Sequence, residues 1–350
     1  VRRALIFKFG AIGDVIMALP AVSLLHASGT QIDWVCGSAV RSLLECYSWL
    51  NILPADDRSI LKGSVAQRAR SIAQMWRMIG FTRYDLCATL YYDKRYKLLA
   101  FPVNARNKIM LSRTSRDYML IPGRSHADEY ARILLASKDS HRPQSLPPVR
   151  PDKLPEDMAF SAAAGVRIGL VPGGAANLMR QQTLRRWPVQ NYVELAKQLV
   201  AMKCEVVLLG GEDDRWVLPH FEGVSVSNRI GSFTLPMVIK ACDQCDVVVS
   251  HDTGPLHLAG LSKAAVVGLF GPTDPGNFLP RRNDVTGIWG GLNFACRPCY
   301  DGSTFAPCEH NGCMYQIAPE LVLGEVNKLL KSRCSGNSSP FQVISPEVLR

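Results

Sequence analysis

The chain has 350 residues, 47% of them apolar, and a mean hydropathy of +0.03, which suits a globular protein with two α/β domains better than a single core. No run reaches the roughly 18 to 20 uninterrupted apolar residues that a membrane-spanning helix requires. The net charge of +10 is uneven: residues 1–150 hold 22 Lys and Arg against 11 Asp and Glu, whereas the remainder holds 18 against 19. The excess points to an anionic partner for the first half, whether nucleic acid, a phosphorylated substrate or an acidic membrane surface, or else to ordinary scattered surface arginine.

The N-terminus, Arg2-Arg3 followed by apolar and small residues, imitates a signal peptide, but Lys8 and Asp14 interrupt it. It reads instead as a first strand over 4–8, a turn over 9–14 and a helix over 15–25, and the protein as cytoplasmic. A strand over 31–36 follows, opening a doubly wound sheet. Apolar side chains at three- and four-residue spacing predict a helix over 65–79. Further strands fall at 86–90 and 108–111, and a helix at 127–135. Prolines at 143, 147, 148, 151 and 155 then exclude regular helix and read as a stiff linker.

The second half alternates more clearly, with strands over 167–171, 205–209, 246–250 and 265–270 and helices to 202 after Trp187-Pro188, over 235–241 and over 254–261. Each strand ends in a polar or glycine turn, the edge at which parallel sheets bind ligands. The last helix, about 319–330, has no predicted strand after it, and the Ser-, Pro- and Asn-rich tail from 335 reads as loosely ordered.

The densest polar constellation is Ser250-His251-Asp252-Thr253-Gly254-Pro255-Leu256-His257, with a second polar turn, Gly271-Pro272-Thr273-Asp274, at the next strand end. A helix starting near Gly254 would aim backbone N–H groups at an anion such as phosphate, or Asp252 or Thr253 could simply cap it. Asp14, after Gly10 and Gly13, is the candidate general base, with a helix cap as the structural alternative. Gly10-x-x-Gly13 does not match G-x-G-x-x-G, so no dinucleotide fingerprint is present. Arg180, Arg185 and Arg186 could grip a diphosphate, or belong to a solvated loop. Glu212 or Asp214, at a strand end, could accept hydrogen bonds from ribose hydroxyls. Among eleven cysteines, Cys296, Cys299, Cys308 and Cys313 form a C-x2-C-x8-C-x4-C array that fits zinc or iron–sulfur spacing only in part. The expectation is therefore no metal, with disulfides or a thiol-packed loop as the other readings.

Taken together, residues 12–22 (IGDVIMALPAV), 172–174 with 185–199 (PGG, RRWPVQNYVELAKQL), 208–214 (LLGGEDD), 250–260 (SHDTGPLHLAG), 269–275 (LFGPTDP) and 296–300 with 313–314 (CRPCY, CM) resemble the ADP-heptose-using heptosyltransferases of glycosyltransferase family 9. The resemblance implies an α/β protein of the GT-B fold, two Rossmann-like domains facing across a cleft. It also implies metal- and cofactor-independent, inverting transfer of heptose from an ADP-sugar to a lipopolysaccharide core or related glycan. Asp14 falls on the family's proposed base and Lys8 on its basic residue six positions earlier. Arg185 replaces the usual lysine before Trp-Pro, and Asp252, Thr253, Gly254 and His257 fall on the motif around the donor phosphates. Gly271, Thr273 and Glu212 are counted with these as donor-site candidates. Where relatives carry a polar run, this chain has Tyr91-Tyr92-Asp93-Lys94-Arg95-Tyr96-Lys97. Lys94 and Arg95, with Lys8, Gly10 and Gly13, are therefore candidates for contacting an anionic glycolipid acceptor, unless that stretch is an exposed helix start.

The expected organisation is an acceptor domain over 1–140, the linker over 141–157 and a nucleotide-sugar domain over 158–316. A helix over 317–334, with a crossing back to the first domain open to it, and a tail over 335–350 would follow. Peripheral contact with the cytoplasmic face of the inner membrane fits the charge. A nucleotide-sugar epimerase of the same architecture is the second enzyme reading. A non-catalytic binder of an anionic polymer is the third; no nucleic-acid motif supports it, and no nucleic-acid partner is expected.

Overall fold

A computed structural model describes residues 2–136, 146–157, 159–160, 165–176, 182–301 and 304–346. The chain divides into two compact units, Val1–Leu154 and Pro155–Arg350. In the first unit the strands are β1 (Arg2–Phe7), β2 (Thr30–Cys36), β3 (Leu50–Pro54), β4 (Tyr84–Thr89) and β5 (Ala105–Met110). Its helices are α1 (Ile12–Ala27), α2 (Ser38–Leu44), α3 (Asp57–Lys62), α4 (Val65–Ile79), α5 (Lys94–Ala100) and α6 (His126–Leu134). The sheet is parallel in the order β3-β2-β1-β4-β5. Its strands close on a core of Leu5, Phe7, Phe9, Val35, Met75, Ile79 and Tyr84, so β1 is buried from Ala4 onward and delivers Lys8 to the carboxyl edge.

The second unit holds β6 (Arg167–Val171), α7 (Val189–Ala201), β7 (Glu205–Leu208), β8 (Val226–Asn228), α8 (Leu235–Asp243), β9 (Val247–His251), α9 (Gly254–Gly260), β10 (Ala265–Phe270), α10 (Pro275–Phe278), β11 (Val285–Trp289), α11 (Gly312–Tyr315), α12 (Pro319–Cys334) and β12 (Gln342–Ile344). These strands form a seven-stranded parallel sheet, β12-β11-β10-β9-β6-β7-β8. The near-continuous apolar runs of β6, β9 and β10 follow from burial on both faces, which makes such strands readable without alternation.

Three expectations about organisation change. The described part of the proline-rich stretch is tied to the first unit: Tyr47 Oη donates to the Val149 carbonyl at 2.7 Å, Lys153 N to Cys46 O at 3.0 Å, and Asp152 accepts from Ser48. Residues 141–145 of the stretch lie outside the described residues. Helix α12 sends Val322, Val326 and Leu329 into the second unit's own core. The tail is not loose throughout, because β12 pairs with β11 and adds an edge strand, while residues 347–350 lie outside the described residues. None of the described helices is long and apolar enough to cross a membrane.

Trp187 anchors the start of α7. It is fully buried against Tyr192, and its indole Nε1 donates to the Ile317 carbonyl at 2.8 Å. Trp187→Phe keeps most of the apolar burial but removes that donor, so urea unfolding should show a loss of about 1–2 kcal/mol.

Candidate functional site

In the first unit, helix α1 begins at Ile12, earlier than the sequence suggests, so Gly13 and Asp14 occupy its first turn rather than the preceding loop. The cap position belongs to Ala11, whose side chain makes no capping bond, so Asp14 is not the cap residue. Lys8 Nζ donates to Asp14 Oδ2 at 3.0 Å and to the Leu90 carbonyl at 2.9 Å, and lies 4.2 Å from the Tyr91 ring centroid. The lysine side chain is 3% exposed and the aspartate side chain 40%, so the ammonium is locked in the wall while the carboxylate faces outward. That arrangement orients a carboxylate without enclosing it, as a base needs if it must meet a substrate.

Tyr91 completes this half. Its hydroxyl accepts from Phe9 N at 2.9 Å and Gly10 N at 3.1 Å and donates to Gly10 O at 2.7 Å, fixing the loop ahead of Asp14. Its ring stacks on Tyr96 at 3.8 Å, and burial holds its phenol pKa well above the ordinary value. Sequence reasoning had Tyr91 only as a member of an aromatic-basic loop. Its loop-clamping bonds depend on β1 and β4 being neighbours, which no spacing announces. Lys94 and Arg95 open α5 and are exposed. Arg95 is engaged by its neighbour Asp93, which accepts from its backbone N–H and guanidinium, so this stretch is a capped, exposed helix start.

In the second unit the polar turns after β6, β7, β9 and β10 interlock. Arg185 Nη1 lies 3.3 Å from Asp252 Oδ2, and Thr273 Oγ1 donates to the same oxygen at 2.8 Å. Asp252 and Thr273 are buried, and Arg185 lies beside the Tyr300–Phe305 ring pair, 5.7 Å from each centroid. Thr253 Oγ1 accepts from Ala175 N at 2.9 Å. Neither Asp252 nor Thr253 spends its side chain on a cap bond of α9, so the simple capping reading fails. Gly174 requires its glycine: its φ is +88°, and a Cβ there would lie 2.6 Å from Thr253 Oγ1.

The two acidic candidates after β7 separate. Asp214 is buried and accepts from Gly174 N at 2.6 Å and Gly211 N at 2.8 Å, so it holds the Pro172-Gly173-Gly174 turn. Glu212 is exposed and pairs with Arg215 at 2.5 Å. Arg186 donates to the Gly174 carbonyl through Nε and Nη2 and covers Trp216 at 4.8 Å, which makes it a strut of the same turn. Arg180 lies outside the described residues. His257 is buried on α9 near its start at Gly254, and Gly271 accommodates Met314 and Cys313 at distances a side chain would close.

His251, at the end of β9, is a participant the sequence reading passed over. Its backbone N donates to Tyr192 Oη, and that hydroxyl lies 3.1 Å from Nδ1, where it can return its own proton. Complete burial, with the guanidiniums of Arg186 and Arg185 nearby, pushes its pKa down to about 3. The unfolded imidazole titrates near 6.5, so between those values unfolding takes up a proton and stability falls as pH falls. His251→Asn should therefore remove about 1.4 kcal/mol per pH unit from the acid limb, read by comparing denaturation midpoints of the two proteins from pH 6.5 downward.

The four late cysteines influence one another: the thiol pKa of Cys313 is pushed up to about 11 by burial first, then by Cys299, Cys308 and Cys296. Cys308 Sγ accepts from Asn311 N at 3.3 Å. Among the described residues, no group of three or more His, Cys, Asp or Glu side chains has a metal-holding arrangement.

Residues 175–310 match the family model described as glycosyltransferase family 9 (heptosyltransferase). Among curated proteins, the chain is 30% identical to lipopolysaccharide heptosyltransferase 2 of Escherichia coli K12, over 47% of this chain and 46% of that protein. It is 24% identical to lipooligosaccharide heptosyltransferase 2 of Campylobacter jejuni, over 51% and 57% respectively, so it spans about half the length of such relatives. A match to lipopolysaccharide heptosyltransferase 1 of Pseudomonas aeruginosa runs over 99% of this chain and 100% of that protein at 24% identity. Among solved structures, E. coli ADP-heptose LPS heptosyltransferase II aligns with a TM-score of 0.71 at 20% identity, covering 95% of this chain and 99% of that one. An E. coli heptosyltransferase solved with ADP aligns at 0.69, 17% identity, over 93% and 99%. The two parallel-sheet units thus have the GT-B fold that the resemblance implied.

Proposed function

We infer that this chain, a member of glycosyltransferase family 9 by its second unit, transfers heptose from ADP-heptose to a lipopolysaccharide-core acceptor on the cytoplasmic side of the inner membrane. The observation that carries the reading is the Arg185–Asp252–Thr273 constellation, with Asp252 and Thr273 buried, inside the stretch matched by the family model. A cation held between a carboxylate and two aromatic faces is positioned before ligand arrives, which suits stabilising a diphosphate leaving group. Asp252 then acts as a positioning residue, since a buried carboxylate would repel phosphate unless its charge were spent on Arg185 and the Thr273 hydroxyl.

In the reaction, Asp14 takes the proton of an acceptor hydroxyl as that oxygen bonds to the anomeric carbon and the bond to the ADP oxygen breaks. Inversion at the anomeric carbon follows from this single displacement. Lys8 keeps the Asp14 carboxylate aimed outward. Glu212 would reach the ribose only by leaving Arg215, with which it is paired. The experiment is a thermal-shift screen of nucleotide sugars. A ligand at about 100 times its dissociation constant adds roughly 2.7 kcal/mol of stability. ADP-heptose should raise the melting temperature and UDP- and GDP-sugars should not; a shift with one of those instead would remove the heptosyl assignment while leaving the transferase.

A further inference from the structure

We propose that the first unit carries a docking surface for an anionic phospholipid membrane, formed by the C-terminal end of α4, the residues that follow it, the end of α5 and the edge strand β5. Phe81 is fully exposed, Phe101 is 77% exposed and Leu98 69%, with Met78 and Trp76 also on the surface. These side chains form one patch rather than scattered exposures. Trp76 Nε1 donates to the Leu99 carbonyl at 2.8 Å, joining the ends of α4 and α5. Lys108 Nζ donates to the Phe101 carbonyl at 2.7 Å, joining α5 to β5. Phe81 lies just past the last turn of α4, which Gly80 closes by donating to the Trp76 carbonyl.

The charge around the patch selects the partner. Residues 62–108 hold ten Lys and Arg against two Asp and Glu, so this stretch alone accounts for most of the net +10 of the chain. Of the two acids, Asp93 is engaged by Arg95 and Asp85 accepts from Arg3 N. Nearest the patch, Arg77 and Lys97 lie in the last turns of α4 and α5, Arg83 lies two residues beyond Phe81, and Arg106 and Lys108 lie on β5, all of them exposed. Basic residues on an exposed strand edge also discourage strand pairing, but that role gives no reason for exposed Phe81, Phe101 and Leu98 beside them. Exposed aromatic and aliphatic side chains with Arg77, Arg83, Lys97, Arg106 and Lys108 on the adjoining segments instead match the headgroup boundary of an acidic bilayer, where apolar tips enter and cations meet phosphate. The proposal goes beyond the transferase reading and does not depend on it, because it concerns where the protein sits and not what it transfers.

The test is co-sedimentation of the full chain with vesicles of phosphatidylcholine alone or with 30 mol% phosphatidylglycerol, at about 50 and 300 mM salt. Binding to the acidic vesicles, weakened by salt and absent with the neutral ones, is expected. Phe81→Ser with Phe101→Ser should weaken partitioning at least tenfold. Arg77→Glu with Lys108→Glu should weaken it more, since each basic residue at such a surface contributes about fivefold. All four residues are exposed, so circular dichroism should report unchanged folding, and the ADP-heptose thermal shift should persist in both variants. Equal partitioning of wild type and variants, or equal binding to neutral vesicles, would overturn the proposal. Loss of the ADP-heptose shift in the wild type would count against the donor assignment alone.

Discussion

An Asp14→Asn protein should bind donor as the wild type does and turn over about 10³-fold more slowly, within the 10² to 10⁴ range ordinary for losing a general base. The amide preserves the shape of the first turn of α1 but cannot accept a proton from an acceptor hydroxyl. The geometry also predicts a secondary effect. Lys8 is almost completely buried and would keep the Leu90 carbonyl and the Tyr91 face but lose its charged partner, so some stability should go with the activity. Measuring donor affinity, melting temperature and single-turnover rate on the same preparation separates the two. Near-normal transfer would remove Asp14 from the role of base, whereas lost donor binding would indicate that the variant acts through the fold.

Arg185→Ala should weaken ADP binding about 100-fold, with a smaller effect on acceptor affinity. Two terms add. The diphosphate loses a charge-assisted donor, worth about 1.5–3 kcal/mol. In addition Asp252, buried and then satisfied only by Thr273, presents an uncompensated negative charge to the ligand. Arg185→Lys should recover only part of the affinity, because the ammonium cannot reproduce the planar, bidentate head that lies beside Tyr300 and Phe305. Calorimetry with ADP reads both variants, and unchanged affinity in Arg185→Ala would take this residue out of the donor site.

Strands β6, β7, β9 and β10 were legible because burial leaves apolar runs such as Ala265–Phe270, bounded by polar turns, whereas β11 (Val285–Trp289), also interior to the sheet, escaped. Helix α4 was legible for the opposite reason, its one buried stripe repeating along Val65–Ile79 between a Ser64 capping box and Gly80. Short edge strands escaped: β8 has three residues and β12 lies in a stretch rich in Ser, Pro and Asn, so only pairing with β7 and β11 defines them. In the site, the motif residues could be named from sequence but not their division of labour. That Asp214 holds a glycine turn while Glu212 pairs outward with Arg215 depends on how the polypeptide turns after Gly211, which residue type alone does not determine. The roles of Tyr91 and His251 likewise come from partners 81 and 59 residues away in the chain.

The most direct test of the heptosyl-transfer account is ADP release from ADP-heptose with and without a heptose-deficient lipopolysaccharide-core acceptor. ADP should appear only when the acceptor is present, in amounts equal to the heptose joined to it. Conversion of the donor to an isomer without acceptor, or acceptor-dependent release from a different nucleotide sugar alone, would contradict it.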